Sequence, residues 1–236
     1  MTLHPRELPP RDLRQTPGHL PAYFTRDATA PAIRVTPLMG TNGTKDAWAV
    51  DPSSTLALTL AAFRVYFIRG ADGRPFRWQS SLNVRGLEAW DIGADALYYW
   101  STQLPEQDRN YLAFSDGGQV IWRLAASGFK MRSVTFVGTP NRLDVGSDTA
   151  IRHIDMAQVI YDDRVDLIAW MGAWFDGSVS TDRSFAQLGA RVRRYPTRNI
   201  GHGGILTDPA LIRLWETEPW IDNMRSARCA PHPEAA

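Results

Sequence analysis

The stretch Arg109-Asn110-Tyr111-Leu112-Ala113-Phe114-Ser115-Asp116-Gly117-Gly118-Gln119-Val120 decides the reading of this chain. Tyr111 and the apolar run Leu112, Ala113, Phe114 suit a strand. Beyond the serine, Val120, Ile121, Leu124 and Ala125 recur at helical spacing until Gly128 supplies a stop. Ser115 therefore stands on a strand-to-helix turn, at the carboxyl end of its strand, where open α/β sheets hold their ligands. So tight a turn tolerates little bulk two residues to either side of the serine, and Ala113 and Gly117 occupy those positions. A serine exposed at such a corner is a candidate nucleophile; the plain alternative is a serine in an ordinary βα loop.

Outward from this corner, strand patterns are expected at Ile33 to Leu38, Arg64 to Ile68, Tyr111 to Phe114, Ser133 to Val137, Met156 to Tyr161 and Arg191 to Tyr195. Helical patterns separate them at Pro52 to Ala62, Leu87 to Trp100 and Gly118 to Ala126, with a last one at Pro209 to Thr217. Strands that alternate with helices imply an α/β protein with a parallel sheet and helices on both faces. The chain divides into a Pro/Arg-rich lead-in (1–31), one globular body (32–222) and a polar tail (223–236).

The spacing Ala113-x-Ser115-x-Gly117 is a variant of the G-x-S-x-G nucleophile elbow with Ala in its first position, and on it the chain resembles the α/β-hydrolases. The resemblance covers about Ile33 to Trp220. It implies a mostly parallel sheet of about six strands that lacks the family's first antiparallel strands, as in minimal lipase- or esterase-like members. Gly138-Thr139-Pro140-Asn141-Arg142 resembles the family's Gly-Thr-Pro-x-Arg/His turn. The gap from Val137 to Met156 is too short for a large cap domain.

Further site residues follow from the same resemblance. Met39-Gly40-Thr41-Asn42-Gly43-Thr44, after the first apolar strand, is similar to an oxyanion-hole loop, with Met39 where the family usually has His. The implied donors are the backbone amides of Thr41 and of Asp116, the residue after the nucleophile. A plain Gly/Asn turn is the alternative for this loop. The family order of serine, acid and histidine puts the base late in the chain. His202 lies there in Asn199-Ile200-Gly201-His202-Gly203-Gly204, expected to be a flexible loop after a strand.

The acid is expected at the end of the strand Met156 to Tyr161, followed by Asp162-Asp163-Arg164-Val165-Asp166. Lipase-like relatives place an acid two residues before a valine here, which selects Asp163 ahead of Asp162 and Asp166. Such a carboxylate fixes the imidazole tautomer and stabilises the imidazolium. Substrate contacts are expected from Gly40, Asn42, Phe114, Trp170 and Trp174, and the loop from Gly70 to Trp90, with Phe76 and Trp78, is a further candidate wall. No metal ligand set and no cofactor are expected, since His153 has no second histidine at ligand spacing.

Composition sets the outer limits. With 236 residues, 44% hydrophobic and 22% charged, the chain can bury a full core as one domain. A net charge of +1 supplies no long-range field for nucleic acid or a membrane surface. Arg191, Arg193 and Arg194 alternate as on a solvated edge strand. The single cysteine, Cys229, excludes an internal disulfide. No signal-peptide h-region and no bilayer-spanning run is visible, so a cytoplasmic protein without integral membrane association is expected.

The expected function is hydrolysis of a small-molecule or lipid-like carboxylic ester through an acyl-enzyme formed on Ser115, with Asp163 and His202 completing a triad. The alternatives are a non-catalytic ligand- or partner-binding protein of the same fold, or a hydrolase of thioester, amide or carbon-carbon bonds. The oligomeric state and the natural substrate leave no mark in the sequence.

Overall fold

A computed structural model describes residues 14–15, 32–40, 51, 54–62, 64–78, 87–139, 147–162, 185, 188–189, 192–197, 202 and 206. Its centre is one sheet. Strands β1 (Arg14–Gln15), β2 (Ile33–Leu38), β3 (Val65–Arg69), β4 (Asn110–Phe114), β5 (Met131–Val137), β6 (Ile154–Asp162) and β7 (Val192–Thr197) lie in the order β1-β3-β2-β4-β5-β6-β7. All neighbours from β3 to β7 are parallel. The two-residue β1 is antiparallel to β3, so a short antiparallel strand from the lead-in is present where none was expected.

Helices α1 (Thr55–Ala62), α2 (Leu87–Thr102) and α3 (Gly117–Ala126) form the crossovers between strands, followed by the single turn α4 (Ser147–Ala150). The six expected parallel strands are all found, each within two residues of the predicted start and end. This is the α/β architecture anticipated from the alternation of patterns.

Strands buried on both faces explain the sequence pattern. In β4, Tyr111 and Ala113 join the core cluster built from α2 and α3, whereas Leu112 joins the cluster of the opposite face with Leu56 and Leu60 of α1. A strand covered on both sides reads as a continuous apolar run rather than as alternation. Helix α2 buries Trp90, Ala94, Leu97 and Trp100, a helical stripe, and exposes Tyr98 and Tyr99 between them. Helix α3 is more deeply set: Trp122 stacks on Phe136 of β5 with ring centroids 4.7 Å apart. It ends where Gly128 adopts a φ of 90°, a left-handed conformation that costs glycine little.

Polar groups inside this core are paired across elements. The Tyr111 hydroxyl donates to Ser101 Oγ at 2.7 Å, and burial pushes its phenol up, so it remains a neutral donor. The Trp100 indole donates to Thr36 Oγ1 at 3.1 Å, tying α2 to β2. Pro37, which has no amide to donate, follows Val35, the last residue of β2 in register with β3. Its missing donor thus falls where β2 is in register with β4 alone.

The strand order creates one special place. From β2 the chain moves outward to β3, then returns past β2 to β4 and continues outward the other way. The crevice beyond the carboxyl ends of β2 and β4 is therefore the topological switch point, where α/β sheets bind ligands. Ser115 follows β4, and Met39 and Gly40 follow β2. Arg193 and Arg194 of the outer strand β7 are exposed, as their alternation suggested, while Val192 and Tyr195 are buried.

Candidate active site

Ser115 occupies a strained corner. Its amide still donates to Val137 O at 2.9 Å, continuing the β4–β5 ladder, yet its φ is 50°, a region that non-glycine residues rarely enter. The next amides have already turned: Gly118 N donates to Ser115 O at 3.1 Å and Gln119 N to Asp116 O at 3.0 Å, which starts α3. Strain of this kind, on the order of 1–3 kcal/mol, persists only where surrounding packing enforces it, and it concentrates at functional sites.

The enforcing contacts are visible at the glycines. A Cβ on Gly117 would lie 2.7 Å from Met39 O and 2.9 Å from Leu38 O, so α3 begins pressed against the end of β2. A Cβ on Gly40 would lie 2.9 Å from Ser115 Cβ. Gly118 faces Thr139, where an added Cβ would overlap the threonine methyl and sit 2.6 Å from Oγ1. The requirement for small residues read at positions 113 and 117 thus extends to 118. Ala113, fully buried, agrees with its predicted part. Thr139 went unrecognised as an elbow residue: its hydroxyl donates to Ser115 O at 3.0 Å and lies 3.3 Å from Ala113 O. The glycine before it, Gly138, with φ 54°, was the available signal.

His202 is brought to the same corner. Its ring lies against Phe114, the residue before Ser115, with centroids 4.8 Å apart and planes inclined by 38°. The backbone at His202 is helical, as it is at Leu206, which corrects the expected flexible loop at that residue. Leu206 is buried in the cluster with Tyr195, against which Phe114 packs.

The strand register places one of the acid candidates, Asp162. Phe114 is level with Val137, and Val137 with Ile160, so Asp162 comes two residues past the level of Phe114 at the same end of the sheet as Ser115. Asp162 is the last residue of β6, in register with Thr197. Asp163, Asp166, Thr41, Asn42, Trp170 and Trp174 lie outside the described residues. His153 sits at the opposite, amino end of β6, with Arg152 Nε 3.3 Å from its Nε2.

Two aromatic residues correct another expectation. Phe76 and Trp78 are buried core residues rather than walls of a cleft. The Phe76 ring packs edge-on against Trp100, and the Trp78 indole donates to Met39 O at 2.9 Å. Trp90, on α2, donates to Asp116 Oδ1 at 2.9 Å. Asp116, at the start of α3, makes no side-chain capping bond.

A groove of about 560 Å³ between α2 and α3, lined by Asp91, Asp95, Tyr98, Arg123 and Leu124, opens beside the carboxyl half of α3. Ser115 precedes the other end of that helix, so the groove is not the site of the corner serine. Among the described residues, no group of three or more His, Cys, Asp or Glu side chains is placed to hold a metal ion, and no helix is long and apolar enough to cross a membrane.

An elbow serine at the switch point of a parallel sheet flanked by helices defines the α/β-hydrolase fold, and this chain has that fold. The comparison with solved structures agrees. The chain is similar to a predicted CIB-like hydrolase from Thermoplasma acidophilum (TM-score 0.55, 10% identity, 85% of this chain and 89% of that one). It is also similar to an Agrobacterium tumefaciens protein of unknown function assigned to the α/β hydrolases (TM-score 0.52, 11% identity, 96% and 98%). A third neighbour is a dienelactone hydrolase-like promiscuous phosphotriesterase from metagenomic libraries (TM-score 0.51, 14% identity, 86% and 88%). No family model and no curated protein sequence matches the chain.

Proposed function

We propose that the protein is a serine hydrolase that cleaves a small-molecule or lipid-like carboxylic ester through an acyl-enzyme. The single observation that carries this reading is Ser115 at φ 50° on the β4–α3 corner, with Gly40, Gly117 and Gly118 packed so closely that the strain is built in. The His202 ring beside Phe114 supports it, as does the end of β6 at Asp162 on the same side of the sheet.

In this reading Ser115 Oγ adds to the ester carbonyl carbon while His202 takes its proton, and Asp163 holds the imidazole and its developing charge. The amides of Thr41 and Asp116 receive the oxyanion. Collapse expels the alcohol, which takes the proton from His202, and water then repeats the addition to release the acid. Phe114, Gly40 and Asn42, with Trp170 and Trp174, form the surface against which an apolar or aromatic ester lies.

The test is covalent labelling. A fluorophosphonate should modify the wild-type protein at Ser115 and leave Ser115→Ala unlabelled, and p-nitrophenyl butyrate should be turned over by the former alone. Folded wild-type protein that neither takes the label nor hydrolyses esters would instead be a binding protein of this fold.

A further inference from the structure

Two indole N–H groups reach the two halves of the proposed oxyanion hole. Trp78 Nε1 donates to the carbonyl of Met39, which shares a peptide plane with the amide of Gly40, one residue before Thr41. Trp90 Nε1 donates to the carboxylate of Asp116, whose own amide is the other proposed donor. Both rings are buried, and they are linked through α2: Trp90 belongs to that helix, and one turn later a Cβ on Gly93 would lie 3.0 Å from Trp78 Cε3. Helix α2 thus carries the Trp90 donor to the start of α3 and packs against the ring whose N–H bonds the end of β2.

We propose that Trp78 and Trp90 are positioning residues that hold the two oxyanion-binding segments at a fixed separation. This rests on the hydrolase reading above. An oxyanion hole works because its donors are aimed before charge develops and need no reorganisation at the moment of reaction. Met39 and Gly40 follow the end of β2, and Asp116 precedes α3, so each bond fixes a backbone plane at the end of a regular element. An indole N–H offers one donor on a ring locked by packing, so each bond fixes a direction as well as a distance. Deleting it should loosen the transition-state contacts while leaving the ground-state ester bound much as before.

The test compares Trp78→Phe and Trp90→Phe with Trp122→Phe. Trp122 is equally buried, but its indole N–H has no hydrogen-bond partner among the described residues, so the control loses the same ring size without losing a bond. Loss of one indole N–H at the site should lower kcat about tenfold, less than the ~10²–10³ that loss of a donor itself costs, with KM little changed. Affinity for an aryl trifluoromethyl ketone should fall by the same factor. In that adduct Ser115 Oγ bonds to the carbonyl carbon, the proton passes to His202 and the carbonyl π pair moves to oxygen, so its affinity reads the hole.

Trp122→Phe should leave kcat and ketone affinity near wild type. If Trp90→Phe does not fold, Asp116→Ala breaks the same bond from a half-buried position and should show the same split. Folded variants of Trp78 and Trp90, or Asp116→Ala, that keep wild-type kcat and ketone affinity, or that change KM alone, would overturn the proposal. So would a Trp122→Phe loss as large as theirs. Wild-type protein that takes no fluorophosphonate would overturn the hydrolase reading and this proposal with it, whereas labelled wild type with unaffected variants overturns this proposal alone.

Discussion

The Thr139 hydroxyl donates to the carbonyl oxygen of Ser115 at 3.0 Å, tying the residue after Gly138 to the strained corner of the neighbouring strand. That bond requires Thr139 to stand where a side chain on Gly118 would go. Elbow and turn are therefore one packed unit, and the first prediction follows from it. Gly118→Ala should displace Thr139 and lower both stability and ester hydrolysis, with an overpacking cost of roughly 1–3 kcal/mol. Gly128→Ala meets open space at φ 90° and should cost only about 1 kcal/mol, with hydrolysis unchanged. Thermal melts alongside a p-nitrophenyl butyrate assay separate the two; equal activity losses would remove the special role of Gly118.

Ser115 itself is predicted to trade stability for function. Ser115→Ala keeps the left-handed strain and should abolish hydrolysis, by about a thousand-fold or more, at near wild-type stability. Ser115→Gly should be equally inactive and at least as stable as Ser115→Ala, because glycine enters φ 50° without the Cβ penalty of roughly 1 kcal/mol. Denaturation midpoints that rank glycine clearly below alanine would mean that the corner is not strained.

For the acid, Asp163→Asn should reduce kcat far more than Asp162→Asn or Asp166→Asn. An amide in place of the partner carboxylate favours the wrong imidazole tautomer, a loss on the order of 10⁴ in the best-studied triad. Asp162 ends β6 in register with Thr197, so its replacement should register mainly as a change in melting temperature. If Asp162→Asn proved the more damaging to turnover, the acid would move to that residue.

Histidine roles separate by pH. A base accepts the serine proton only when neutral, so kcat/KM should rise with pH along an acidic limb. His202→Ala should remove the limb together with the activity. His153→Ala should preserve both, since His153 lies at the amino end of β6, the end of the sheet away from Ser115. An indispensable His153 in folded variants would require the triad to be rebuilt.

Much of this molecule was legible in the linear pattern. Apolar runs such as Leu112 to Phe114 and Met156 to Tyr161 mark strands because a two-sided sheet buries most residues of its inner strands. The corner serine showed itself because tight turns tolerate only small neighbours, and Ala113 and Gly117 stand two residues to either side of it. These are local constraints, and they act within a few residues.

Tertiary structure alone decided the rest. That β2 and β4 lie side by side with the switch point between them depends on the return of the chain from β3 past β2, which no local pattern records. The contact between the His202 ring and Phe114 joins residues far apart in the chain. Likewise Trp78 and Trp90, which in sequence are simply two of nine tryptophans, acquire distinct partners only when α2 reaches the start of α3 and packs against the Trp78 ring. A hydrogen bond between residues 26 or 39 positions apart is set by the path of the backbone through space, whereas turn sterics and hydrophobic period are set by the residues themselves.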